Sequence, residues 1–529
     1  MVSPHEQQGI GNFPYQDGFQ VKITFVETIS PDIRAYGIRC ISSYLKENGH
    51  DVRLVFLPPG IEKLRSASGV IDRYDDNIID QTIDLCSDGD VVGIGLVTYY
   101  FERVSHLTRR MKDRLDIPVI WGGIHPTTRP GECLEYADLV CRGEGDEAIL
   151  QFLNRMEKGE DYRDAGNFWF KENGEIHKNN PLPLIQDLDG MPFPDWDFQE
   201  HYALDHAKTE VRRIDEDLMR RFMSMGPVSN LGMHYHYKTM ASRGCPHRCK
   251  YCCVSYYRDM YEGQRYLRRR SIENVMQELS DAREKLPFMD AVSFFDDCFF
   301  TVSTENIREF AAQYKRKIGL PFATQSSPPS TTRDKLQPLV DAGMVYLEMG
   351  IQTGSRRIQR MYGREFPREK VIRAAESIIA FKDRMLPPDY HLILDNPWEN
   401  EEDVLDTLYL ILDLPHPFGL KPSSLVLYPE TGLYHNAISE NLIQDEKEEI
   451  YSKAFGAPSP TYLNLLIFIA GTRYFPKRIV RFMAWKPLRR FFRFRIFEPF
   501  YALFRSAVFA FDRIMLRLVS GKKIRNLSE

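Results

Sequence analysis

Four of the nine cysteines fall within nine residues, in Ala241-Ser-Arg-Gly-Cys245-Pro-His-Arg-Cys249-Lys-Tyr-Cys252-Cys253. Thiolates at Cys245, Cys249 and Cys252, spaced four and then three residues apart, can wrap three corners of a cubane iron–sulfur cluster. Three ligands for four irons leave one iron open. An exogenous amine and carboxylate can chelate that iron, which is a way to hold a sulfonium for one-electron reduction. Zinc is the alternative reading, since cysteine-rich loops also bind it. Zinc sites, however, usually take two separated ligand pairs, and no second pair lies nearby. Adjacent side chains rarely point at one metal, so Cys253 reads as a bystander. The other five cysteines (Cys40, Cys86, Cys133, Cys141 and Cys298) are scattered. This is no disulfide framework, and it suits a reducing cytosol with one thiolate-rich metal site.

A loop can hold ligands only if a strand delivers it. The segment Thr239–Ser242 reads as such a strand, the first of an alternating series. Further strand candidates are Ala291–Phe295, Phe322–Gln325, Val345–Met349, His391–Leu394 and Ser424–Leu427. Helical stretches fall between them at Ile272–Lys285, Thr304–Lys317, Arg333–Asp341, Arg368–Phe381 and Glu401–Leu412. Six such units predict a partial (β/α)6 barrel, short of the eight of a complete one, with its chemistry on the loops after the strands.

An earlier alternating series precedes it. Strands are expected at Val21–Thr28, Asp51–Leu57, Asp90–Val97, Pro118–Trp121 and Ala137–Cys141, with helices at Gly37–Asn48, Glu102–Leu115 and Glu147–Glu157. Asp90–Val97 is nearly apolar throughout, as a central parallel strand should be. The pattern predicts an α/β, doubly wound (Rossmann-like) sheet whose ligand lies beyond the strand carboxyl ends. A hairpin, NFWFKENGEIH, and a Pro/Asp-rich connector, DLDGMPFPDWD, read as the boundary between domains, and Lys208–Met225 as a charged amphipathic helix. The expected divisions are 20–165, 166–237, 238–432 and a helical region over 433–529.

At 529 residues the chain exceeds one core. Its net charge of -5 hides an uneven layout. From Thr472 to Glu529 there are 15 Lys/Arg against 3 Asp/Glu, or +12, so the remainder carries -17. No secretory signal is evident at the amino end, and the longest apolar run is far short of the ~20 residues that span a bilayer. A cytoplasmic protein is expected, at most peripheral to a membrane. In the basic tail, Phe500, Leu503, Phe504, Ala507, Val508, Phe511, Ile514, Met515 and Leu518 recur at helical spacing, with Arg505, Arg513 and Arg517 off that stripe. Upstream, Arg478–Arg495 interleaves Arg/Lys with Phe and Trp. Such a segment fits an anionic membrane interface or a helix packed on the barrel. Nucleic acid is the poorer match, because no recognised module accompanies the charge.

SRGCPHRCKYC resembles the signature of the radical S-adenosylmethionine superfamily. The resemblance implies that Cys245, Cys249 and Cys252 ligate a [4Fe–4S] cluster, that Tyr251 lies beside the adenine, and that reductive cleavage yields a 5′-deoxyadenosyl radical. It also implies a reducing electron donor such as flavodoxin or ferredoxin. Later segments agree in order. In Phe294-Phe-Asp-Asp-Cys-Phe299, Asp296 and Asp297 take the role of meeting the methionine amino group. Met349-Gly-Ile-Gln-Thr-Gly-Ser355 resembles the fourth-strand segment, in which Gly350 admits the nucleoside and Gln352 contacts it where many relatives carry Glu. Ser326 and Arg364 are candidates for ribose or carboxylate. Leu427-Tyr-Pro-Glu-Thr-Gly432 departs from the commoner Pro-Gly-Thr.

A doubly wound sheet ahead of such a barrel resembles the cobalamin-binding subgroup. DVVGIGLVTY, Trp121-Gly-Gly-Ile-His-Pro-Thr127 and Val140-Cys-Arg-Gly-Glu-Gly-Asp146 carry this likeness, with Thr98, Gly122, Gly123, His125, Gly143 and Glu144 as cobalamin contacts. The Asp-x-His-x-x-Gly sequence that supplies a lower axial histidine is absent, since Glu27-Thr-Ile-Ser-Pro-Asp-Ile-Arg follows the first strand. What the subgroup implies is methyl transfer to an unactivated carbon of a small-molecule substrate. An oxidative cyclisation or rearrangement without methyl transfer, and a catalytically silent corrin- or cluster-binding module, are the alternatives. The tail associates with a lipid or polycyclic substrate only by analogy.

Overall fold

In the computed structural model the described residues are 20–28, 35–58, 73–223, 235–453, 456, 458–472, 475–492, 494–501, 503–504, 507–508, 510 and 514. The chain forms two compact units. One comprises Met1–Met223, Ser255–Arg268 and Leu427–Lys453, and the other Ser224–Val254, Arg269–Val426 and Ala454–Glu529.

The first unit is built on a nine-stranded sheet. In chain order its strands are β1 (Lys22–Glu27), β2 (Asp51–Phe56), β3 (Val91–Gly95), β4 (Val119–Gly122), β5 (Leu139–Cys141), β6 (Phe168–Glu172), β7 (Glu175–Lys178), β8 (His201–Asp205) and β9 (Glu210–Arg213). They lie side by side as β7-β6-β5-β4-β3-β1-β2-β8-β9. The strands from β5 to β8 in that order are parallel, and the two hairpins close the edges antiparallel. Strand order reverses at β1, which is flanked by β2 and β3. That reversal opens a crevice beyond the strand ends, where doubly wound sheets hold ligands. The central strands are buried through Ile23, Phe25, Val91, Val92 and Ile120.

Two expectations need correcting here. The hairpin read as part of the boundary between domains is β6–β7, and it extends the first sheet from β5. Lys208–Met225 is not one helix. Glu210–Arg213 pairs antiparallel with β8, and Glu216–Met223 alone is helical among the described residues. Thr209 takes φ 54 at the turn, so the chain reverses there instead of continuing a helix. The buried Asp205 carboxylate then collects Arg212 and Arg221.

The second unit contains a six-stranded sheet in which each strand pairs in parallel with the next in sequence. Its strands are β10 (His236–Thr239), β11 (Ala291–Phe294), β12 (Phe322–Ser326), β13 (Met344–Gln352), β14 (Asp389–Leu394) and β15 (Gly419–Ser424). Serine caps start the helices Ile272–Lys285 and Thr304–Lys317, and a reciprocal Asn400–Asp403 capping box starts Glu401–Asp413. The sixth strand lies earlier than the sequence suggested. Pro422 argues against a strand, but β15 is at the sheet edge, where a missing N–H costs no ladder bond.

The carboxyl-terminal helices Tyr462–Ala470, Lys477–Met483 and Lys486–Phe492 complete this unit. Of the tail stripe, Phe511, Met515 and Leu518, with Arg505, Arg513 and Arg517, lie outside the described residues. No helix among the described residues is long and apolar enough to cross a membrane.

Candidate active site

The cysteine loop leaves β10 and is pinned at both ends. Asp296, just beyond β11, is fully buried and accepts hydrogen bonds from the Ala241 N–H (3.0 Å) and the Ser242 hydroxyl (2.5 Å). Burial pushes its carboxyl up to about 6, against those two donors. The far end is held by the helix Arg356–Tyr362. The Lys250 N–H donates to the Tyr362 carbonyl at 2.9 Å, and the Tyr251 ring meets the Tyr362 ring edge-on at 5.0 Å. Cys249 is buried, while Cys245, Cys252 and Cys253 are half-buried.

The donor set separates the two metal readings. Thiolates around one zinc lie about 3.8 Å apart, because each Zn–S bond is about 2.3 Å long. Among the described residues, the trio of ligand atoms that lie within 4.8 Å of one another is Asp195, Asp197 and His201. There Lys46 already neutralises Asp195 at 2.8 Å. Cys245, Cys249 and Cys252 stand together on one loop, and three thiols with one open corner fit a [4Fe–4S] cluster.

Strand β13 ends beside this loop in an unusual conformation. Its register with β14 shifts between Gly350 and Gln352, a bulge, and Gln352 sits at φ 71. A bulge re-aims a side chain, and a non-glycine residue at positive φ is held there by its surroundings. Gln352 turns back over Gly350, so that a Cβ on Gly350 would fall 2.7 Å from Gln352 Nε2 and 3.4 Å from Arg364 Nη2. Arg364 Nη1 donates to Cys249 Sγ at 3.3 Å, and its Nε is buried without a partner. Gly350, Gln352, Arg364, Tyr251 and Cys249 therefore form one cluster, with a bare backbone and an unsatisfied donor. That combination fits a bound nucleoside with a carboxylate.

The remaining expected contacts in this unit are placed differently from one another. Ser326 donates to the Glu348 carbonyl at 3.4 Å, tying β12 to β13. Asp296 is committed to the loop, whereas Asp297 is exposed.

In the first unit a cavity of about 370 Å³ opens at the strand-order reversal. It is lined by the ends of β1, β3, β4 and β5 and by the start of the helix Tyr36–Glu47, and it includes Gly93, Gly95, Gly122, Gly123, Gly143 and Gly145. Glycines at strand ends leave backbone open to close approach, which suits the nucleotide tail of a corrinoid. Gly143 is at φ 80, and a Cβ there would fall 2.0 Å from the Tyr261 hydroxyl oxygen. Tyr261 accepts the Glu144 N–H at 3.1 Å, and Arg268, itself buried, pairs with the Glu144 carboxylate. Tyr256 bonds Arg142 at 2.9 Å and Tyr257 bonds Thr127 at 3.3 Å, so the stretch after the cysteines clamps the segments that follow β4 and β5.

Of the six expected corrinoid contacts, Gly122, Gly123 and Gly143 line the cavity. Thr98, His125 and Glu144 do not. His125 is fully buried, with Nδ1 at 3.2 Å from Thr98 Oγ1, and it packs on Phe101 and Tyr451. Burial holds it down at about 3, assisted by Arg129.

Residues 240–411 match the family model of the radical SAM superfamily, and residues 23–153 match that of the B12 binding domain. The chain carries a B12 binding domain followed by a radical SAM domain. The two domains bring with them a [4Fe–4S] cluster and S-adenosylmethionine on one side and cobalamin on the other. An uncharacterized methyltransferase of Pyrococcus horikoshii is 27% identical over 365 residues, covering 67% of this chain and 71% of that protein. The anaerobic magnesium-protoporphyrin IX monomethyl ester cyclase of Synechocystis is 25% identical over 222 residues, 41% of this chain and 37% of the cyclase. Among solved structures, the radical S-adenosylmethionine methyltransferase TsrM of Kitasatospora setae, with cobalamin and cluster bound, superposes with a TM-score of 0.59. That match has 14% identity and covers 80% of this chain and 75% of TsrM. The cobalamin-dependent radical enzyme OxsB superposes at 0.56, with 17% identity over 80% of this chain and 56% of OxsB. These likenesses give the chain its fold.

Sequence reasoning missed Cys298, Tyr261 and Arg268. The Cys245 thiol hydrogen-bonds Cys298, which lowers Cys298 below the ordinary thiol range and raises Cys245. Cys298 also donates to the Gly244 carbonyl at 3.5 Å. An isolated cysteine after β11 carries no spacing signal. Tyr261 and Arg268 lie in YYRDMYEGQRYLRRR, whose alternation of tyrosine and arginine was the available hint.

Proposed function

We propose that this chain is a cobalamin-dependent radical SAM C-methyltransferase acting on an unactivated carbon of a small molecule. The observation that carries the proposal is the pairing of Arg364 with buried Cys249 at the glycine-bare end of β13, in a chain that also has a glycine-lined cavity at the strand-order reversal of its first sheet. The methyltransferase relative supports the transfer of a methyl group. When bound, the cluster supplies an electron to split S-adenosylmethionine, and cobalamin carries the methyl group. The chain's own work is to hold and orient them. Cys245, Cys249 and Cys252 take the cluster, and Arg364 places a fixed cation beside one thiolate. Gly350 and Gln352 shape the nucleoside seat with Tyr251 beside it, and Gly122, Gly123 and Gly143 receive the corrinoid tail.

The cyclase relative favours a second reading, an oxidative ring closure with the same cofactors and no methyl transfer. Incubation with S-adenosylmethionine labelled in its methyl group and a flavodoxin or ferredoxin reductant distinguishes the two. Label in the product is expected; a product formed with 5′-deoxyadenosine but without label would move the assignment to the cyclase class. Replacing Cys245, Cys249 or Cys252 by alanine is expected to abolish both the iron–sulfur absorbance and 5′-deoxyadenosine, and Cys253→Ala to leave both intact. Retention of both by any of the first three variants would end either reading.

A further inference from the structure

The carboxyl-terminal helices use one face for packing and leave another bare. Tyr462 stacks on Phe492 at 5.0 Å and donates to the Met483 carbonyl, and Tyr501 donates to the Phe492 carbonyl. Val480, Ala484 and Tyr501 are buried, Lys477 donates to the Leu414 carbonyl at 2.7 Å, and Arg481 pairs with Asp413. Packing on the barrel is thus satisfied by these residues. It does not account for the others.

Of the twelve exposed large apolar side chains among the described residues, nine lie between Ile479 and Ile514. Phe482 is 63% exposed, Trp485 57%, Phe491 58% and Ile496 82%. Phe482 and Trp485 stack on each other at 6.3 Å, so the two exposed rings form one aromatic pair. Arg478, Lys486 and Arg490 are exposed among them, with no acidic partner among the described residues. A soluble surface rarely keeps this much apolar area bare without a partner.

We propose that the bare face of the helices Lys477–Met483 and Lys486–Phe492 docks this chain onto an anionic phospholipid bilayer. Interfacial segments combine bulky apolar side chains, which enter the headgroup region, with cations that meet acidic headgroups, and tryptophan is favoured at that depth. A second copy is a poor occupant, because a two-fold contact would set the exposed Arg478, Lys486 and Arg490 against their own copies. Nucleic acid would satisfy the cations and stack on the rings, but it offers nothing to Ile479, Ile496 and Leu503, which are aliphatic and bare. The lipid interface satisfies all three kinds of side chain. This inference stands apart from the cofactor chemistry.

Flotation of the full chain, loaded with its cluster, tests it. Vesicles of phosphatidylcholine with about one third phosphatidylglycerol should carry the protein upward at least about tenfold better than pure phosphatidylcholine. Lys486→Glu with Arg490→Glu, and separately Phe482→Ser, should each cut that partition about tenfold or more, with circular dichroism and iron content unchanged. Trp485→Phe should still float, but should lose the fluorescence quenched by brominated acyl chains. Three results would overturn the proposal. These are no cofractionation with anionic vesicles at moderate salt, variants that float as the wild type does, or displacement from vesicles by a nucleic acid bound more tightly.

Discussion

Arg364 reaches the sulfur of Cys249 at 3.3 Å across a place where Gly350 offers no side chain. A guanidinium that donates to a cysteine sulfur fixes that sulfur's direction and adds a charge-assisted contact to it as a ligand to iron. Arg364→Gln should therefore hold its cluster less firmly. A charge-assisted hydrogen bond is worth about 1.5–3 kcal/mol, so iron release to a chelator should quicken about tenfold or more. Arg364→Lys should fall between. Equal release from all three proteins would show that Arg364 only packs there.

Gly350→Ala tests the nucleoside seat. The added methyl would press on the ends of Gln352 and Arg364, both flexible, so the fold and the iron content should survive. S-adenosylmethionine should bind at least about tenfold more weakly, because the methyl occupies contact space worth about 1–3 kcal/mol. Isothermal titration of the cluster-loaded protein checks this, and unchanged affinity would remove Gly350 from the seat.

At Gly143 the same exchange should act on stability. Its φ of 80 strains any other residue, and the Tyr261 hydroxyl oxygen stands 2.0 Å from where the methyl must go. Gly143→Ala should cost about 2–4 kcal/mol in the first unit and lower cobalamin retention on a desalting column. Adding Tyr261→Phe removes the opposing oxygen and should recover part of the loss. A melting temperature that does not move in Gly143→Ala would contradict the close approach.

His125 gives the pH dependence a direction. Burial keeps it neutral in the folded chain, down at about 3, whereas the unfolded chain takes up a proton near its ordinary value of 6.5. A lowered folded value means that the contribution is whole above the unfolded value and is lost as pH falls towards the folded one. Between those limits the slope is at most about 1.4 kcal/mol per pH unit. His125→Gln should flatten the fall in urea midpoint between about pH 6.5 and about pH 5. Parallel curves would place the acid sensitivity elsewhere.

Much of this architecture was legible because helical and strand periods are strong signals over long segments. Ile272–Lys285, Thr304–Lys317 and Arg333–Asp341 lie where their apolar spacing and serine or threonine starts put them. The cysteine loop was legible from spacing alone. What escaped depends on contacts far apart in sequence. Strand Glu210–Arg213 is rich in charge and reads as helix, and only pairing with β8 makes it extended. His125 sits two residues after the Gly122–Gly123 turn, which suggested a ligand, but its ring turns inward to Thr98. Glu144 looked like a tail contact or helix cap, and Arg268, more than a hundred residues on, claims it.

The division of the chain between its two units has a temporal consequence. The first sheet emerges from the ribosome early, yet Tyr261, Arg268, Glu430 and Tyr434 come from later stretches that belong to the same unit. Until Lys453 has been made, Arg129 lacks Glu430 and Glu446, and His125 lacks the ring of Tyr451. At about 5–20 residues per second, that leaves the nascent amino-terminal half incomplete for tens of seconds after its own last strand is synthesised. A nascent chain stalled between those points should accordingly be open to proteolysis around Gly143 and Arg129, and completion of synthesis should close it.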